Sequence, residues 1–73
     1  MAKDRSALLQ FGRTLKRYRL EMRFSQEQLA EQADFDRTYV SLVERGLRNV
    51  SLLNICRFAK ALKTRPAQLL EEL

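Results

Sequence analysis

Apolar residues recur along this chain at three- and four-residue spacing, and no segment alternates apolar and polar residues with a period of two. Leu8, Phe11, Leu15, Tyr18 and Met22 trace one stripe, which predicts an amphipathic first helix over about residues 6–23 with its basic face outward. Leu29, Ala30 and Ala33 form a narrower second stripe, whose small alanines let another helix approach closely. Val40 and Val43 mark the buried side of a third helix. Leu52, Ile55, Cys56, Phe58, Ala59 and Leu62 form the predicted apolar face of a fourth. Thr64 or Arg65 then precedes Pro66, and proline is tolerated in a first helical turn, so a short fifth helix is expected to run to Leu73. The predicted fold class is all-α, five helices in a single domain over residues 1–73, with no strand.

Capping chemistry sharpens the boundaries. Ser25 and Gln28 have the spacing of a capping box, which satisfies two orphan backbone donors and fixes the start of the second helix. Asp34-Phe35-Asp36 reads as a turn in which the Asp36 side chain can accept from the first free N–H groups of a third helix beginning at Arg37. Gly46 ends that helix, and Ser51 caps the fourth. Ser25 to Gly46 therefore has the layout of a helix-turn-helix, two short helices meeting at a sharp turn. At about 100° per residue, Arg37, Thr38, Ser41 and Arg45 lie on the side of the third helix away from Val40 and Val43.

With those residues in register, the segment resembles the helix-turn-helix of phage repressor and Cro-like regulators. Gln26 falls at the motif's first position, Ala30 at its small-residue position, and Val40 and Val43 at the apolar positions of the recognition helix. The chain departs from that pattern at Asp34, where the family usually has glycine because the turn needs a left-handed backbone. Within the family, DRTYVSLVERGLRNVSLLNI at Asp36 to Ile55 is most similar to the controller proteins of restriction-modification systems. The resemblance implies a compact repressor-like domain and a structural ion pair between Arg19 and Glu44.

Composition and charge narrow the function. Seventy-three residues suffice for one small domain that buries only about 60% of its unfolded surface, so a dimer interface would help stabilise it. There is no apolar run for a membrane span and no signal-peptide core, and the expected location is cytoplasmic. The single cysteine, Cys56, lies in an apolar segment and is expected to be a buried core thiol in a reducing compartment. The net charge of +5 is unevenly spread. Lys3, Arg5, Arg13, Lys16, Arg17, Arg19 and Arg23 outweigh Asp4 and Glu21 in the first 24 residues, whereas Ser25 to Asp36 holds four carboxylates and no base. Such separation suits a protein that lays particular elements along phosphates, although mildly basic small domains are also common. With no histidine, no P-loop and no metal-ligand cluster, the chain is not expected to be an enzyme, and no cofactor or metal is expected.

Candidate roles follow from position. Arg37, at the start of the recognition helix, can pair bidentately with guanine, or else hold a phosphate or remain merely solvated. Thr38 and Ser41 share its face, as does Arg45, and Leu42 borders it, either against a thymine methyl group or half-buried on the scaffold. Tyr39 points nearer the core by angle, yet the controller resemblance implies DNA contact. Gln26 lies in the first turn of the supporting helix, placed for backbone contact, and the resemblance assigns it a phosphate. Arg48 and Asn49 suit backbone contact from the following loop, Arg48 alternatively entering a minor groove; the alternative for both is a simply exposed loop. One recognition helix reads too few base pairs to find an operator, so a homodimer on a palindromic site is expected. Val50, Leu52, Leu69, Leu70 and Leu73 form the candidate dimer surface. The predicted function is a sequence-specific transcriptional regulator controlled by its own concentration, with operator duplex and a second copy as partners and RNA polymerase as a candidate third. The alternative is an antitoxin-like protein-interaction module. Antitoxins usually add a toxin-binding extension, and a chain that reaches Leu73 without one is expected to be the regulator.

Overall fold

In a computed structural model the residues described are 2–73, with side chains described from Arg5 onward. The side chains of Lys3 and Asp4, counted above in the basic first segment, lie outside the described residues. Five helices follow in order: α1 (Ala2–Glu21), α2 (Gln26–Ala33), α3 (Arg37–Glu44), α4 (Leu52–Ala61) and α5 (Pro66–Leu69). Among the described residues there is no strand.

Helices α1 to α4 stop in the same way. In each, one residue turns into the left-handed region, and its N–H and the next one reach back to carbonyls of the last turn, the Schellman arrangement. The left-handed residues are Arg23 (φ 59°), Asp34 (61°), Gly46 (74°) and Lys63 (55°). The accompanying long bonds are Phe24 N–H to Arg19 O at 3.0 Å, Phe35 to Ala30 at 2.8 Å, Leu47 to Leu42 at 2.9 Å and Thr64 to Ala59 at 2.9 Å. This corrects the predicted end of α1, which stops at Glu21 because Arg23 has already left helical conformation. The starts agree with their caps: Ser25 and Gln28 form the capping box of α2, and Ser51 accepts from Asn54 N at the head of α4. Asp36 differs. It supplies the extended backbone that begins α3, but its side chain makes no cap hydrogen bond. The fifth helix is also shorter than expected, ending at Leu69 in a series of tight turns that carries the chain to Leu73.

The helices close on Leu15, Leu29, Val40, Val43, Phe58 and Leu69, all without exposed surface to within 2%. Phe11, Ala30, Ala33, Ala59 and Leu62 complete this core, and Tyr18 and Met22 pack against it from α1. Gly12 sets how closely α1 approaches α3. A Cβ there would lie 2.6 Å from the Val43 carbonyl oxygen and 2.5 Å from that of Glu44, so only glycine lets the two backbones meet.

The predicted face of α4 needs correction. Phe58, Ala59 and Leu62 are buried, but Leu52 is 68% exposed and Cys56 is exposed, so Cys56 is not a core thiol. Around the helix, Leu52, Cys56 and Leu53 occupy an arc of about 100° opposite Phe58. The apolar arc of α4 is wider than the small core can cover, and spacing alone does not say which part is left bare.

Candidate nucleic-acid interface

Helix α3 runs with Val40 and Val43 in the core and Arg37, Thr38 and Arg45 exposed, while Ser41 and Leu42 are half-buried at the margin of that face. The outer surface of α3 thus carries guanidinium and hydroxyl groups, donors and acceptors of the kind that read base edges and phosphates. Arg48 and Asn49 are exposed on the loop after it.

What fixes α3 is buried and polar. Glu44, at its last turn, accepts from Arg19 Nε at 2.6 Å and Arg19 Nη2 at 3.0 Å, a bidentate pair whose side chains are 8% (Arg19) and 3% (Glu44) exposed. Arg19 Nη1 also donates to the Phe24 carbonyl at 2.8 Å, and Gln26 Nε2 donates to Glu44 at 3.1 Å. One carboxylate therefore ties α3 to the end of α1 and to the first turn of α2. The fork geometry of arginine matches the carboxylate in a way lysine cannot. Gln26 is accordingly half-buried and turned inward toward Glu44, an attachment that its position at the head of α2 did not disclose.

A second set of contacts holds the turn between α2 and α3. The Phe35 ring lies 4.8 Å from those of Tyr39 and Phe58, and Tyr39 and Phe58 are stacked at 6.2 Å. Tyr39 is half-buried, and its hydroxyl accepts from Asn54 Nδ2 at 3.0 Å, which leaves the phenolic proton available to an acceptor outside the fold. Arg57 of α4 lies over the Phe35 ring at 4.0 Å and donates to the Ala33 carbonyl at 2.9 Å. Neither Asn54, Arg57 nor Gly12 was singled out from the sequence. Their partners are 15 to 32 residues away, beyond the reach of any local pattern.

This architecture is shared. A family profile described as a helix-turn-helix domain matches residues 10–73. The control protein C.BamHI of Bacillus amyloliquefaciens is 48% identical over 64 residues, covering 86% of this chain and 79% of its own. The crystal structure of the restriction-modification controller protein C.AhdI of Aeromonas hydrophila superposes with a TM-score of 0.86 at 47% identity, covering 88% of this chain and 97% of that one. This chain belongs to the restriction-modification controller proteins. It is a helix-turn-helix DNA-binding regulator. A third neighbour, the controller protein C.Esp1396I, has been solved as a tetramer in complex with its natural 35 base-pair operator; it matches at TM-score 0.81 and 32% identity over 90% of this chain and 87% of its own.

Of the five residues predicted for self-association, Val50, Leu52, Leu70 and Leu73 keep accessible surface and one does not. Leu69 is wholly buried in the monomer and is unavailable to a partner. Val50, Leu70 and Leu73 meet around an open, mostly apolar hollow of about 200 Å3 that Leu8 and Ile55 also line, and Leu52 is not part of it. Leu53, which sequence spacing did not single out, is 76% exposed, and Leu73 is 62% exposed. Among the described residues no group of three or more His, Cys, Asp or Glu is placed to hold a metal ion, and no helix is long and apolar enough to cross a membrane.

Proposed function

We propose that this controller protein binds an operator duplex as a two-fold homodimer, with α3 of each copy in the major groove. The observation that carries the reading is a helix whose outer face bears Arg37, Thr38, Ser41 and Arg45 while its inner face and last turn are locked by Val40, Val43 and the Arg19–Glu44 pair. A rigidly held reading helix is what base contacts require, since each depends on placement to a fraction of an ångström. In this reading Arg37 reads bases, Thr38, Ser41, Leu42 and Arg45 line the groove, and Tyr39, Arg48 and Asn49 touch the backbone. Gln26 reaches a phosphate only with donor capacity that its bond to Glu44 leaves free. The exposed leucines of α4 and the C-terminal turns serve the second copy. The C.Esp1396I–operator complex supports both the DNA and the assembly parts of the proposal. The protein acts as a regulator rather than an enzyme, in the cytoplasm, with RNA polymerase the candidate partner of the DNA-bound form.

The test is binding-site selection from a randomised duplex pool, followed by titration of the selected duplex and a scrambled one across a salt series. Log K should fall with log salt at about −0.9 per phosphate contact, and the selected duplex should bind more tightly throughout. Arg37→Ala should cost about 1–3 kcal/mol on the selected duplex and relax preference at one base pair. Equal affinity for both duplexes would sink the proposal.

A further inference from the structure

We propose that Arg57 is a positioning residue for operator reading, a clamp from α4 that sets the angle between α2 and α3 through the carbonyls of Ala33 and Asp34 and the ring of Phe35. The inference rests on the DNA-reading role proposed for α3. It begins with the turn itself. Asp34 adopts a left-handed backbone, φ 61° and ψ 51°, where a side chain is disfavoured. The last carbonyls of α2 have no helical partner, and they carry the negative end of its dipole. Phe35 N–H and Asp34 N–H satisfy Ala30 and Glu31. For Ala33 and Asp34 the donor is Arg57: Nε and Nη2 reach the Ala33 oxygen at 3.2 and 2.9 Å, and Nη2 also reaches the Asp34 oxygen.

The same guanidinium lies over Phe35, whose ring packs on Tyr39, two residues beyond Arg37 in α3. Backbone and ring contacts thus converge on the segment that joins the two helices of the motif. The clamp does not depend on the Asp34 carboxylate, which is fully exposed, 3.8 Å from Arg57, and screened by solvent. It does depend on the planar fork, because a lysine ammonium has donors for two carbonyls but no flat face to lie on the ring while a fixed edge donates. Arg57 is on the helix that also bears Leu52 and Leu53, so the clamp joins the reading helix to the surface offered to a second copy.

The experiment compares full-length parent, Arg57→Met, Arg57→Lys and Asp34→Asn on two duplexes, one selected by the parent from a random pool and one scrambled, well below each variant's melting transition. The ratio of the two affinities should fall about tenfold in Arg57→Met, the scale of one mis-set base contact, with affinity for the scrambled duplex nearly unchanged. Arg57→Lys should lose most of the same ratio, and Asp34→Asn should keep it. Without DNA, the backbone amide NMR shifts of Arg37 to Val40 should move in Arg57→Lys. If Arg57→Met does not fold, the Lys and Asn variants carry the comparison. A parent-like ratio and parent-like shifts in Arg57→Lys would overturn the clamp, as would equal loss on both duplexes, which marks a simple phosphate contact. A parent with no preference between duplexes would remove the DNA-reading role and the clamp together, whereas a selective parent with unaffected variants removes the clamp alone.

Discussion

The two ends of this controller protein are finished by different chemistry. Around α3 the fold is closed with polar locks: Arg19 and Gln26 on Glu44, Asn54 on Tyr39, and Arg57 on the end of α2. Among the described residues, no buried side-chain nitrogen or oxygen is left without a partner. Around α4 and the C-terminal turns the surface is apolar and open, with Leu52, Leu53 and Leu73 each more than 60% exposed. Directional bonds fix the pose of a helix and suit the part that must present side chains in register. Bare leucines fix nothing until another surface covers them. One end holds an angle by directional bonds; under the proposed function the other is the surface for a second copy.

Breaking a lock at the first end should have the largest effect on stability. Glu44→Ala strands Arg19 in a buried site and should destabilise the fold by about 3–5 kcal/mol, read by urea denaturation. Replacing both partners with apolar residues should cost much less. A double-mutant cycle without coupling would remove the pair from the account of how α3 is held.

At the other end the expected behaviour is the reverse. Leu53→Glu should leave monomer stability within about 0.5 kcal/mol, as exposed substitutions generally do. It should nevertheless weaken the dimer by about 1.5–3 kcal/mol if that leucine is covered there, and sedimentation equilibrium reads the shift. Operator affinity should fall with dimer population, while the preferred bases stay the same. A parent that is monomeric on DNA would end the comparison between a reading end and a pairing end.

Three smaller effects sharpen it. Helix propensity favours Gly12→Ala, yet the added methyl meets the carbonyls of Val43 and Glu44, and the variant should lose about 1–3 kcal/mol in thermal or chemical denaturation. Lys63→Gly should gain about 0.5–1 kcal/mol, because Lys63 holds a left-handed backbone at the end of α4 that glycine adopts without strain. Gly46→Ala should lose stability instead, since its φ is 74° and its Cβ would press on Leu9.

Much of this molecule is local and can be read in order along the chain. Helix stripes, the Ser25–Gln28 box, the Ser51 cap and the start of α3 at Arg37 depend on neighbours within four residues, and spacing reports such contacts directly. The exposed face of α3 follows from the same periodicity, and the Arg19–Glu44 pair from resemblance to a family that shares it. The tertiary structure alone decided the rest. Cys56 turns outward while Leu69 turns inward because a core of this size covers only part of each apolar arc, and which part depends on how five helices pack. Gly12, Asn54 and Arg57 owe their roles to partners in other helices, and Gln26 spends its amide on Glu44 for the same reason. Periodicity tells which side of a helix seeks cover; only packing decides what covers it, and how much remains for a second copy or for DNA.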